Sequence, residues 1–295
     1  MPKAAVNGCE LYYETGGEGA PVVYVHGGFA GLDTVLRDLA PDGWTWERDF
    51  AQKFRFIAYD RRGCYRSSSP DSGYDLANQA RDLAGLLDHL AIPSAHIIGS
   101  SAGGPIAIRF GAQWPERVRS LVLVGTAPDL FPLGEPGSDT VRRHLALLDR
   151  VGAEAAFEQR PPEVEVTFNE LWDHVEAAAR GTLDEYLERQ QAWRERARQL
   201  PRAQRVHYYM TELRSMAAYI DADVRSYAER ITVPTQVIHG SNDRMVPVAW
   251  AEELARAIPS AQFMLVEGGP HSLMIRDATA RHQVMAFMQG VNDAV

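Results

Sequence analysis

The chain has 295 residues, 45% hydrophobic and 23% charged, which is enough apolar material for one large domain or two smaller ones and argues against long disorder. A net charge of −9 disfavours nucleic acid or an anionic membrane as the main partner, and no apolar run resembles a signal peptide or is long enough to cross a bilayer. Cys9 and Cys64 are too few for a disulfide framework and show no metal-ligand spacing, so a reduced, soluble, cytoplasmic protein is expected.

In chain order, Asn7-Gly8 predicts a turn and the following residues to Glu14 an edge strand. Pro21 to Val25 is a continuous apolar run, the pattern of a strand covered on both faces. It feeds His26-Gly27-Gly28-Phe29, a loop able to aim a backbone N–H at a developing negative charge, with Gly28 as the candidate donor and His26 as a brace for the loop. Trp44 and Trp46 follow in a long connection that ends in a helical segment before Phe54. Phe54 to Tyr59 is the next strand, and Asp60 to Ser68 reads as a turn held by local hydrogen bonds. Leu76 to Leu90 places Leu76, Ala80, Leu83, Leu87 and Leu90 on one side of a helix expected beside the next strand, with His89 and His96 at the surface.

Ala95 to Ile98 is a short buried strand, and a helix follows from about Ala102 to Gln113, closed by Pro115. Between them stands Gly99-Ser100-Ser101-Ala102-Gly103, a G-x-S-x-G sequence. A strand that turns directly into a helix strains the residue at the corner, so the positions two away must be nearly bare, as Gly99 and Gly103 are. The corner holds the Ser101 hydroxyl at the strand end, where the Ala102 N–H at the helix start is the second candidate oxyanion donor. Leu121 to Gly125 is another buried strand. Strands separated by helices at this rhythm imply right-handed parallel crossovers, an open α/β sheet, and a ligand site at the carboxyl ends of the strands.

From about Leu130 the pattern changes. A Pro/Gly stretch leads into four expected helices, Arg142–Glu158, Glu163–Arg180, Leu183–Gln199 and Arg202–Tyr219, an insertion best read as a cap over the strand ends. His174, His207 and acidic residues near Glu163 are possible ligand contacts within it. Sheet pattern returns at Val233 to Gly240, with Asp243 just past the strand end. A helix over Trp250–Ala257 precedes the last strand, Ala261 to Val266, and then His271. Ser, Asp and His in that chain order, each after a strand, are what a nucleophile–acid–base triad on such a sheet requires. Asp129 also follows a strand and is a rival for the acid.

These residues carry a resemblance. The His26-Gly27 loop, Asp60-x-Arg62-Gly63, the elbow at Ser101, the Asp243 loop and His271 resemble the α/β-hydrolase fold family with a helical cap. The fold so implied is α/β, a mostly parallel central sheet flanked by helices. Residues 1–129 would form the first part of the core, 130–224 the cap and 225–295 the rest of the core. By resemblance Ser101 is the nucleophile, His271 the base and Asp243 its orienting carboxylate, with Gly28 and Ala102 as the oxyanion hole. No metal or organic cofactor is implied. Phe29, Trp44, Ser100, Trp172, Tyr208 and Met245 are candidates for the pocket. Two positions depart from many relatives: Tyr65 stands where a second glycine is common, and Ser100 where histidine or asparagine is. Hydrolysis of a carboxylic ester or lactone is the leading expectation. A proline iminopeptidase-like aminopeptidase, a carbon–carbon bond hydrolase of a dienoate and a non-catalytic ligand receptor are the alternatives.

Overall fold

The computed structural model describes residues 2–32, 47–132, 136–160, 166–168, 177–178, 181–220, 222–259 and 261–293. The chain enters as a hairpin in which β1 (Lys3–Val6) turns at Asn7 and Gly8 (φ 47° and 70°) into β2 (Cys9–Gly16). Two successive left-handed residues match the twist of the flanking strands. The sequence leads one to expect the edge strand after this turn. Instead β1 lies at the edge and β2 is paired on both sides. Only Ala4 of β1 is buried, too little pattern to reveal a strand.

Strands β3 (Pro21–Val25), β4 (Arg55–Tyr59), β5 (Ala95–Ser100), β6 (Val118–Val124), β7 (Thr235–Gly240) and β8 (Gln262–Val266) complete an eight-stranded sheet in the order β1-β2-β4-β3-β5-β6-β7-β8. Every pair from β4 to β8 is parallel. The connection out of β3 runs one way to β4 and returns to β5 on its other side. The carboxyl ends of β3 and β5, paired up to Val25 and Gly99, are therefore a switch point, where open α/β sheets leave a crevice.

Alternate residues of β3 to β7 feed two cores. Helix α1 (Glu47–Ala51), with α10 (Leu273–Arg276) and α11 (Ala278–Asp293), covers Val22, Tyr24, Phe56 and Ile98. Helices α2 (Leu76–His89), α3 (Gly103–Gln113) and α9 (Val248–Ala257) cover Val23, Val25, Ile57 and Ile97 on the other face. Asp75 caps α2 by accepting the Asn78 N–H at 2.9 Å, one of the orphan donors of a helix start. That helix packs on α3 and β1 more than beside β5. His89 is exposed as expected. His96 is not: it is fully buried between Ser120 Oγ (2.7 Å) and Asn292 Oδ1 (3.0 Å) of α11, a helix outside the elements expected from sequence.

The described residues between β6 and β7 contain no strand. They form α4 (Pro136–Val151), α5 (Ala153–Glu158), α6 (Leu183–Gln199) and α7 (Arg202–Ala217), and α8 (Arg225–Ala228) leads back to the sheet. The single helix expected over Arg142–Glu158 is two, divided at Gly152, whose φ of 80° is incompatible with a continuing helix. Most of the helix expected over Glu163–Arg180 lies outside the described residues, which include a helical 177–178. The end of α7 meets the core: Ala30 N–H donates to Ser215 Oγ at 3.3 Å, and Gly31 stands where a Cβ would be 2.7 Å from that of Glu212. Among the described residues no helix is long and apolar enough to cross a membrane.

Candidate active site

Ser101 sits between β5 and α3 with φ 49°, a left-handed conformation that costs a non-glycine residue about 1–3 kcal/mol and persists only where the surroundings enforce it. Here they do. Ser101 N–H donates to Val124 O (2.8 Å), and Ser101 O accepts from Gly104 N–H and from Thr126 Oγ1, both at 2.8 Å. A Cβ on Gly99 would stand 2.7 Å from that of Ala107, and one on Gly103 would collide with the Val25 carbonyl. The bare positions inferred from G-x-S-x-G are thus forced by contact, the first by α3 and the second by β3.

The structure brings Ser101, His271 and Asp243 together. His271 Nε2 is 3.1 Å from Ser101 Oγ, and its Nδ1 is 2.7 Å from Asp243 Oδ2. The second carboxylate oxygen accepts the backbone N–H groups of Met245 (2.8 Å) and Val246 (2.9 Å), so the loop after β7 fixes the carboxylate's plane. Burial pushes the Asp243 pKa up, but the hydrogen bond and charge of His271, the Val246 N–H and the His239 charge outweigh it and hold the carboxyl below its ordinary range. Asp129 takes no part: its Oδ1 accepts Phe131 N–H at 2.9 Å, and burial raises its pKa.

Gly27 packs directly on Ser101, since a Cβ there would stand 2.7 Å from the serine Cβ. Among the described residues neither the Gly28 nor the Ala102 N–H donates to a protein acceptor. His26 braces the loop as expected: its Nδ1 is 2.7 Å from Gly27 O and its Nε2 accepts Arg61 N–H at 3.0 Å. These contacts assign the proton to Nδ1. Burial and the nearby Arg61 charge lower its pKa to about 3, so the ring is neutral at physiological pH.

The pocket candidates divide. Phe29 meets Tyr219 (ring centroids 5.3 Å) and Phe131 (5.4 Å), an aromatic group joining the loop after β3 to the end of α7. Ser100 hydrogen-bonds with Tyr24, within the core on the α1 side. Half-buried Tyr208 packs on Leu32, Val166 and Ala197, while half-buried Met245 lies in the Asp243 loop. Trp44 and Trp172, with Glu163 and His174, lie outside the described residues. The turn after β4 is held locally as expected, Asp60 accepting from Arg66 Nε at 2.8 Å. Tyr65 adopts φ 44°, which explains why glycine suits that position.

Sequence reasoning missed four residues around the triad. His239, fully buried, lies 3.3 Å from Asp243 Oδ2 and bonds Val246 O through Nε2; its place on a strand four residues before the acid was the available signal. Thr126, just past β6, holds the elbow carbonyl. Buried Arg61 donates to Tyr219 Oη (3.0 Å), Gln79 Oε1 (3.0 Å), Gly27 O (3.3 Å) and Gly28 O, and Tyr219 Oη donates to Ala102 O at 2.6 Å. Nothing in their spacing singles out Arg61 or Tyr219.

With sheet order, switch point and elbow established, the class follows: the chain belongs to the α/β-hydrolase fold family, whose sequence model matches residues 20–278. This places it among the hydrolases of the α/β fold. It is 28% identical over 277 residues to a non-heme chloroperoxidase of Streptomyces lividans, covering 91% of each chain. The enol-lactonase of Burkholderia xenovorans superposes with a TM-score of 0.65 at 26% identity, over 98% of this chain and 100% of that one. A meta-cleavage product hydrolase of Pseudomonas fluorescens gives a TM-score of 0.71 at 23% identity, over 100% and 98%, a likeness of fold.

Proposed function

We propose that the protein is a serine hydrolase that cleaves a carboxylic ester or lactone of a small, largely apolar substrate through an acyl-enzyme on Ser101. The observation that carries this reading is the unbroken relay from Ser101 Oγ to His271 at 3.1 Å and on to Asp243 at 2.7 Å. His271 takes the serine proton as Oγ bonds to the carbonyl carbon, while Asp243 holds the imidazole with its Nδ1 protonated and stabilises the cation that forms. The carbonyl oxygen becomes an oxyanion received by the Gly28 and Ala102 N–H groups, each donor contributing roughly 3–4 kcal/mol to lowering the barrier. His271 returns the proton to the leaving alcohol oxygen. It then takes one from water, whose oxygen bonds to the acyl carbon, and the acid departs as Ser101 recovers its proton.

The Phe29, Phe131 and Tyr219 rings beside the Gly28 loop favour an apolar substrate over a charged one. The structural likeness to an enol-lactonase supports the ester or lactone class. Among the described residues Glu212, the buried carboxylate near the end of α7, is engaged by Thr167 Oγ1 and by Phe168 N–H (2.9 Å), and so is not left for the amine of an aminopeptidase substrate. The test is a panel of p-nitrophenyl esters from acetate to decanoate, several lactones, a proline arylamide and a dienoate ring-fission product, with wild type and Ser101→Ala side by side. Turnover of esters or lactones that vanishes in Ser101→Ala is expected. Turnover confined to the arylamide or the dienoate, or undiminished in Ser101→Ala, overturns the reading.

A further inference from the structure

Arg61 is among the largest fully buried side chains, yet among the described residues it forms no ion pair. Its neighbour Asp60 is engaged by Arg66, and Asp82 by Arg62, so neither carboxylate answers its charge. Among the described residues its guanidinium is met by neutral groups: the amide oxygen of Gln79, the hydroxyl of Tyr219 and the carbonyls of Gly27 and Gly28. Burying a cation without a countercharge is costly, and a fold keeps one only where many fixed dipoles or a transient anion compensates.

The place of those carbonyls gives the cation a use. The Gly27 carbonyl and the Gly28 N–H belong to one planar peptide unit and point in opposite directions. A donor seated on the carbonyl therefore sets the direction of the N–H and, by polarising the unit, strengthens it as a donor. Two donors sit there, Arg61 Nη2 at 3.3 Å and the neutral, Nδ1-protonated His26 at 2.7 Å. The other donor is built alike: the Ala102 N–H shares its peptide with the Ser101 carbonyl, held by Thr126 Oγ1 and Gly104 N–H at 2.8 Å. Tyr219 ties the halves together, accepting from Arg61 and donating to Ala102 O.

We propose that Arg61 is a positioning residue of the oxyanion hole: its unpaired, buried guanidinium orients and polarises the Gly27–Gly28 peptide and supplies a fixed positive field that the reaction's oxyanion completes. This rests on the serine-hydrolase reading above. Arg61 touches no reacting atom, and its effect is felt when the carbonyl oxygen gains charge and not when the substrate binds.

The experiment combines p-nitrophenyl butyrate kinetics, the rate at which a fluorophosphonate probe labels Ser101, and inhibition by an aryl trifluoromethyl ketone. In labelling, the Ser101 Oγ–P bond forms, the P–F bond breaks, fluoride leaves, and the serine proton passes to His271. In Arg61→Met, kcat and the labelling rate constant should each fall about 30–100-fold, somewhat less than for loss of a whole donor. KM should stay within about threefold, and ketone affinity should fall in proportion to kcat/KM. Arg61→Lys, which keeps the charge, should recover part of the loss. A merely structural role would lower the fraction of molecules labelled and leave the rate constant of the rest unchanged, and that result overturns the proposal. So does an Arg61→Met enzyme whose kcat and labelling rate lie within about threefold of wild type. If Arg61→Met does not fold, Tyr219→Phe takes its place with an expected fall of about 3–10-fold in kcat at constant KM, and no fall overturns the proposal. A wild-type protein that the probe does not label at Ser101 overturns instead the reading on which it rests.

Discussion

Two sets of ion pairs set the sheet core and the helical insertion apart. In the core, polar groups are buried one by one into fixed geometry: Arg62 and Asp82, 3% and 2% exposed, form a two-point ion pair at 2.6 Å, and His26 and His96 are enclosed with both ring nitrogens engaged. In the insertion, Arg202 pairs with Glu154 and Glu158 while all three stay about half exposed or more, and α6 buries only Tyr186, Gln190 and Ala197 along 17 residues. Buried polar groups that are fully partnered specify a single arrangement, whereas exposed pairs specify little. The core can thus hold a relay to tenths of an ångström, and the insertion can change its surface without disturbing it. The end of α7 and the residues just after it join the two regions, through Ser215, Glu212 and Tyr219.

The comparison is broken most severely at the relay. Asp243→Asn leaves shape and volume unchanged but presents the wrong tautomer to Ser101, and kcat should fall about 10⁴-fold on any ester the wild type turns over. Asp129→Asn, a change to a side chain that only closes a local turn, should leave kcat within about threefold. The reverse ranking would transfer the acid role to Asp129.

The next effect is on stability. Arg62→Met leaves the Asp82 carboxylate buried with Asn7 Nδ2 (3.0 Å) as its remaining side-chain partner and should cost about 3–5 kcal/mol in urea unfolding. Adding Asp82→Leu should restore much of that loss, because the penalty lies in the orphaned charge. The matched change in the insertion, Arg202→Ala, should leave the urea midpoint where it is. Equal losses at the two sites would erase the distinction between the regions.

What the sequence made legible follows the same division. The sheet, the elbow and the Ser101, Asp243 and His271 placements were readable because apolar runs bounded by glycine, and single residues just past strand ends, leave local marks. The edge strand β1 and helix α11 leave weaker ones, and a lone glycine such as Gly152 does not by itself mark a helix break, since helices tolerate one. His96 looked like a surface residue because its partners are 24 and 196 positions away, in Ser120 and Asn292. Arg61 was hidden for the same reason: its role depends on which carbonyls the fold brings to it, and an arginine in a polar turn carries no sign that it will be buried. Single-residue chemistry is legible where the backbone dictates it and opaque where long-range packing does.

The smallest effect concerns that same His96 and acts through pH. Burial and the Arg119 charge lower its pKa to about 4, against the Asn292 contact that raises it, so the folded protein holds it neutral where the unfolded chain would protonate it. The unfolded state therefore binds more protons below about pH 6.5, and stability, full above that value, is lost as pH falls toward 4, by about 2 kcal/mol at pH 5. His26, lowered to about 3, acts with the same sign, its loss continuing down to about pH 3. His96→Gln keeps an amide between Ser120 and Asn292 but cannot take up a proton, so its unfolding free energy should fall less from pH 7 to pH 5 than that of wild type, by about the same 2 kcal/mol, without becoming flat. Urea unfolding of both proteins at the two pH values measures it directly. Parallel losses would mean that His96 accepts its proton within the fold, and that the core tolerates charge at this position much as the insertion does at its surface.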